Sequence, residues 1–134
     1  MNMDKILILL EQSGSNPRIG IEEMLGDETM YLRLLREFLR SGEITPLQEK
    51  IEAGDYVGAF RICHKMKGSS VTLALTPLSS ALSQLTELLR PFYNGIKEPG
   101  GTVEFEERPL IKLAFSRAKF LLDRYNALLD MADL

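Results

Sequence analysis

The sequence predicts an all-α fold, an antiparallel up-down four-helix bundle with an additional short N-terminal helix. Three observations carry that expectation. Apolar residues recur every three or four positions almost throughout, and no run alternates as a half-buried strand does. Clusters of Gly, Pro, Asn and Ser punctuate the helical pattern. Most connections between helical segments are short, which favours antiparallel neighbours.

The elements follow in order. "MDKILILLEQS" reads as a short amphipathic helix closed by the breaker cluster "SGSNPRIG". Asp27 is a good N-cap for a second helix through "ETMYLRLLREFLRS", with Leu32, Leu35, Phe38 and Leu39 as its buried stripe. Gly42 and Thr45-Pro46 interrupt the pattern. Thr45 can cap and Pro46 can take the first helical position, so "PLQEKIEA" is either a new helix or a kinked continuation. Gly54 ends it and Asp55 starts the next helix, which runs to Thr76-Pro77. Thr76 is the expected cap of "PLSSALSQLTELLR", and "PFYNGIKEPGG" reads as a loop. The last helix is expected from about Pro109 to Met131, with Leu113, Phe120, Leu121, Leu128 and Leu129 in the core. Residues 1–134 thus make one domain, with 1–18 an N-terminal helix and linker and 19–131 the bundle.

Composition removes several classes of function. Apolar residues make up 45% and charged residues 26%, the balance of an ordinary globular protein. A net charge of −3 gives no electrostatic support for general nucleic-acid or membrane-surface binding. The longest apolar run, "ILILL", is too short to span a bilayer, and "MNMDK" lacks a secretory pattern. A single cysteine, Cys63, makes no internal disulfide, so a reducing cytoplasm is the expected setting. One His and one Cys exclude a His/Cys zinc site within one chain, and no metal site is expected.

The stretch "AFRICHKMKGSSVTLAL" holds the only histidine, His64. At about 100° per residue, Ala59, Ile62, Cys63, Met66, Ser70 and Leu73 fall opposite His64 and form a core stripe. On the His64 side lie Phe60, Lys67, Gly68, Val71 and Leu75. Lys67 and Gly68 are three and four residues on, so both neighbour the imidazole on the helix surface. A lone helical His is most often a surface or core-satisfying residue, but here the core stripe is complete without it. A mid-helix glycine costs about 1 kcal/mol relative to alanine, a cost that clear access to the imidazole would offset. An open imidazole with a cation beside it suits a nucleophile that accepts a phosphoryl group. That group adds about two negative charges, which a lysine one turn away partly balances. No second His, Ser-His-Asp set or phosphate-cradling glycine loop completes an active site, so a partner has to supply the rest.

"HKMKGSS" at 64–70 closely resembles the His-x-x-Lys-Gly-Ser-Ser/Ala signature of histidine-containing phosphotransfer (HPt) domains. "GIEEMLGDETMYLRLLREFL" resembles the opening helices of that family, and "LQEKIEAGDYVGAFRICHKMKGSS" its run-up to the histidine. The resemblance covers roughly residues 20–92. It implies a bundle that relays phosphoryl groups between receiver-domain aspartates in two-component signalling. His64 is then the phosphoryl acceptor, Lys67 the lysine that stabilises phosphate charge, and Gly68 the residue that opens the site. The implied partners are response-regulator receiver domains and a hybrid histidine kinase. Phe60 and Val71, apolar on the outward face, are expected to form a docking patch with Arg61 and Leu75, the alternative being that the N-terminal helix covers Phe60 and Val71. The chain itself needs no cofactor; the receiver brings Mg²⁺ and the catalytic aspartate. The chain is expected to be a stand-alone monomer. Where the family often has Gly-Ala ten and eleven residues after the His, this chain has Ala74 and Leu75, and Leu75 is expected to add bulk near the active face. Two other readings remain: a helical adaptor that binds receivers without transfer, and a His-dependent phosphatase.

Overall fold

Seven helices and no strand make up the described residues: α1 (Met3–Gln12), α2 (Pro17–Glu23), α3 (Glu28–Leu39), α4 (Ile44–Glu52), α5 (Tyr56–Thr72), α6 (Thr76–Tyr93) and α7 (Thr102–Met131). The structure is a computed structural model and describes residues 3–100 and 102–134. None of these helices is long and apolar enough to cross a membrane.

Local chemistry places most of the boundaries. Asp27 and Asp55 cap α3 and α5, their carboxylates accepting from the backbone N–H of Met30 and of Gly58, both at 2.9 Å. The breaker cluster after α1 holds a further helix, α2. Asn16 caps it by accepting from the Ile19 N–H, and Pro17 takes the first position, where a missing N–H costs nothing. Ser41 and Gly42 separate α3 from α4, so "PLQEKIEA" belongs to a new helix. That helix starts at Ile44, and Thr45 lies inside it rather than capping it.

Thr76 is likewise not a cap. α5 ends at Thr72, and Leu75 serves both neighbours. Its N–H donates to the Ser70 carbonyl at 3.0 Å to close α5, and its carbonyl accepts from Ser79 at 2.9 Å to open α6. Such a tight reversal needs a left-handed residue just past the helix, and Ala74 takes that role at φ 56°. The side chain of Leu75 turns inward and is fully buried, so the bulk expected from it on the His64 face is not there.

The two internal prolines do not end their helices. α6 runs through Pro91 to Tyr93, because Phe92 is buried and Tyr93 stacks on Phe60. α7 begins at Thr102, ahead of Pro109. Each proline removes one amide from its ladder. The loop expected at 91–101 shrinks accordingly, and Gly101 lies outside the described residues.

α5 and α6 run antiparallel. Tyr56 meets Phe92 near the far end, Cys63 meets Thr86 midway, and the Leu73–Leu75 link closes the near end. α6 also packs on α7, and α7 on α1, α3 and α4. Tyr31, absent from the expected stripe of α3, is fully buried and donates its hydroxyl to the Leu73 carbonyl at 2.8 Å. Gly20 lets α2 approach that junction, since a Cβ there would meet the Tyr31 ring at 2.5 Å. Asn126 on α7 donates to the Leu39 carbonyl at 2.9 Å, satisfying the end of α3.

The core face of α7 is Ile111, Phe115, Ala118, Leu122, Tyr125 and Leu129. Of the residues expected there, Leu129 is buried and Leu121 and Leu128 are half-buried. Leu113 and Phe120 are 69% and 61% exposed. The helix is apolar on two faces, so composition alone does not select the inner one.

A left-handed alanine costs about 1–2 kcal/mol, while glycine costs about 0.4–1 kcal/mol more unfolded-state entropy. Ala74→Gly is therefore expected to stabilise the protein by roughly 0.5–1 kcal/mol. Urea unfolding should show a higher midpoint at unchanged slope. A lower midpoint would show that the Ala74 methyl contributes more by packing than its backbone strain costs.

Candidate functional site

α5 is anchored by Ala59, Cys63, Met66 and Ser70, all buried, along one stripe at helical spacing. Cys63 ties that stripe to α6, its sulfur 3.2 Å from Thr86 Oγ1 and 3.4 Å from the Leu82 carbonyl oxygen. With this stripe fixed inward, His64 turns outward near the middle of the helix and is exposed. Among the described residues no side chain hydrogen-bonds its ring nitrogens. The imidazole is instead supported on one face by Phe60, stacked at 5.6 Å and 29°.

Phe60 is only 6% exposed. It is covered by α6 rather than by α1: Tyr93 stacks on it at 4.3 Å, and the Arg90 guanidinium lies 5.1 Å from its ring centre. Arg61 sits over the Tyr93 ring at 5.8 Å. The result is a short aromatic stack, His64–Phe60–Tyr93, with Arg90 and Arg61 against it. The expected docking rim is corrected accordingly. Phe60 and Leu75 are buried, whereas Arg61 and Val71 are exposed, Val71 by 56%.

Charge gathers around the imidazole. α5 carries Arg61, Lys65 and Lys67 and no acidic residue between Tyr56 and Thr72, within a chain of net charge −3. Lys65 is committed to Glu43, Nζ to Oε1 at 3.1 Å. Lys67 is half-buried beside α6 and makes no ion pair among the described residues; its charge is felt by Glu87 and by Cys63. Glu87 accepts from Arg90 at 3.1–3.2 Å, and those bonds hold its carboxyl below the usual range. Lys67 is thus free to meet an incoming anion, whereas Arg90 is paired with Glu87.

Gly68 is exposed, and a Cβ built on it meets nothing within 4 Å. Its place in the helix therefore answers no packing demand of this chain. The backbone around it is braced from the inner turn: Ser70 Oγ donates to the Lys67 carbonyl at 2.7 Å and Thr72 Oγ1 to the Gly68 carbonyl at 3.1 Å. On the flank away from α6, Gly68 and Thr72 border an open groove of about 510 Å³ floored by Leu34, Phe38 and Leu73, with Lys65 on its wall. His64 thus rides on a ridge between an aromatic, cationic flank and an open one.

Sequence reasoning placed His64, Lys67 and Gly68 together, and the structure has them so. It missed Arg90 and Tyr93, which reach the site because α6 packs against α5, Tyr93 only because α6 continues past Pro91. The absence of acidic residues from α5 is legible in the sequence. Comparison with known protein families, with curated proteins and with solved structures found no match for this chain.

Two outcomes test this geometry. Phe60→Ala should destabilise the fold by about 3 kcal/mol, the scale for a buried phenylalanine, whereas Val71→Ala should fall within about 0.5 kcal/mol. Chemical denaturation of both variants checks this, and equal effects would contradict the burial assigned to Phe60. Burial also pushes the Cys63 thiol up to about 11, against an ordinary value near 9.0. The neutral thiol is then favoured by the folded state. Its contribution to stability is complete below pH 9 and is lost as pH rises from 9 to 11. Stability measured across that window should fall more steeply for the wild type than for Cys63→Ala, and parallel curves would contradict the assignment.

Proposed function

We propose that this chain is a phosphoryl carrier of two-component signalling, with His64 exchanging a phosphoryl group with receiver-domain aspartates. The observation that carries this reading is an exposed imidazole braced on one face, with an unobstructed glycine one turn away and the free cation of Lys67 between them. The "HKMKGSS" resemblance supports the same reading. We further propose that the helices form an antiparallel up-down four-helix bundle to which α1 and α2 are added, in a cytoplasmic protein. The partners are response-regulator receivers and a hybrid histidine kinase.

The imidazole nitrogen without a proton donates its lone pair to the phosphorus of an aspartyl phosphate on the receiver. The N–P bond forms as the O–P bond breaks, and the receiver's carboxylate leaves with the electron pair. The other ring nitrogen holds its proton or releases it to water. Passage to a second receiver is the reverse. Stacking on Phe60 fixes the ring plane and lowers the entropy lost on reaching in-line geometry. Lys67 balances the charge of the bound phosphoryl group. Gly68 leaves room for the receiver's reacting end. The receiver supplies Mg²⁺ and the aspartate, so this chain acts as a carrier and not as an enzyme.

His64→Gln should abolish acid-labile, alkali-stable labelling from a phosphorylated receiver while leaving helical content unchanged. Labelling that persists in this variant sinks the proposal; a wild type that binds receivers but stays unlabelled points to the adaptor. Lys67→Ala should slow transfer by roughly tenfold, the loss of about 1–1.5 kcal/mol of charge-assisted contact, with little change in stability. Gly68→Gln should block transfer by bulk without lowering the melting temperature.

A further inference from the structure

The outward face of α7 carries a second apolar seam that the fold does not use. Leu110, Leu113 and Phe120 are 52%, 69% and 61% exposed. With Glu106, Arg117 and Arg124 they follow the alternating three- and four-residue spacing of a coiled-coil seam, at 106, 110, 113, 117, 120 and 124. The core-facing stripe from Ile111 to Leu129 is complete without them. Three large apolar side chains held in water on one seam of a 30-residue helix mark a surface built for contact.

We infer that this seam pairs with the same seam of a second copy of the chain, antiparallel, about a two-fold axis near position 115. The charges select both partner and direction. A parallel pair would set Glu106 on Glu106, Arg117 on Arg117 and Arg124 on Arg124, all like charges. The antiparallel pair sets Glu106 of each copy opposite Arg124 of the other, making two equivalent ion pairs at the ends of the seam. The same register sets Leu110 of each copy against Phe120 of the other and lays the Arg117 stem over Leu113. A slip of one heptad would place Glu106 opposite Met131 and forfeit both ion pairs. Arg124 already lies over the Phe120 ring at 5.9 Å, so the terminal cation and the aromatic of the seam are set side by side within one chain. The paired stretch from 106 to 124 is about 27 Å long. That is a small interface, so the dimer forms reversibly, with a dissociation constant on the order of micromolar or weaker. The seam is on α7 and His64 is on α5, both packed on α6, and the inference does not depend on the phosphotransfer reading.

Sedimentation equilibrium of the full chain, from about 1 μM to 1 mM, tests the inference. The expected result is a concentration-dependent rise from the 15.1 kDa monomer toward twice that mass. A wild type that stays at monomer mass throughout overturns it. Phe120→Ser, at an exposed position, should raise the dissociation constant by roughly tenfold or more with the circular dichroism spectrum unchanged. Arg124→Glu alone and Glu106→Arg alone should each weaken the dimer, and the double charge swap should restore it to within about twofold. A dimer indifferent to these changes lies elsewhere on the surface and overturns the inference. Single reversals that the swap does not rescue overturn the antiparallel register.

Discussion

The packing of α5 on α6 is the contact on which the site depends. Ala59, Cys63 and Ser70 are small, and Cys63 reaches both the Leu82 carbonyl and Thr86 across the interface. Small residues let the two helices approach closely, and a helix has only one stripe to give to such an approach. Once positions 59, 63, 66 and 70 are committed inward, the angular spacing of the helix sends His64, Gly68 and Val71 outward. The exposure of the imidazole is thus a consequence of core packing one residue away. The same contact carries Arg90 and Tyr93 of α6 to the edge of α5, where they cover Phe60 and stiffen the ground beneath the imidazole.

The end of α5 shows how the chain holds this arrangement in place. Ala74 takes a left-handed conformation, and Leu75 closes one helix while opening the next. Tyr31 from α3 bonds the Leu73 carbonyl, and Gly20 brings α2 in behind the tyrosine ring. Elements from the first quarter of the sequence therefore fix the C-terminal end of the histidine helix. The two flanks of His64 then differ for a structural reason. α6 packs along one side and fills it with aromatic and cationic side chains, while α3 stands off on the other and leaves a groove floored by Leu34, Phe38 and Leu73.

α7 poses a different problem. Its inner face supplies the core, yet its outer face repeats the same kind of pattern with Leu110, Leu113 and Phe120. An apolar side chain in water neither adds to folding nor favours solubility. Glu106 and Arg124 at the ends of that seam give it a polarity that a general sticky patch would lack. The fold and the proposed pairing thus draw on separate faces of one helix.

The all-helical class, the caps at Asp27 and Asp55, and the grouping of His64, Lys67 and Gly68 were determined by the sequence alone. Each rests on interactions within about one helical turn: periodicity, a side chain bonding an N–H three residues on, and angular neighbours on one helix. Other features were decided only by the tertiary structure. Leu75 and Phe60 share the angular sector of His64, yet both are buried, because the α5–α6 link turns one inward and α6 covers the other. Arg90 and Tyr93 join the site from another helix, Tyr93 from beyond a proline that locally reads as a stop. Leu113 and Phe120 look like core by type and spacing, but burial follows the neighbours a face meets in space. Where a helix is apolar on two sides, local pattern offers two equal answers, and only the packing of α1, α3, α4 and α6 against α7 selects between them.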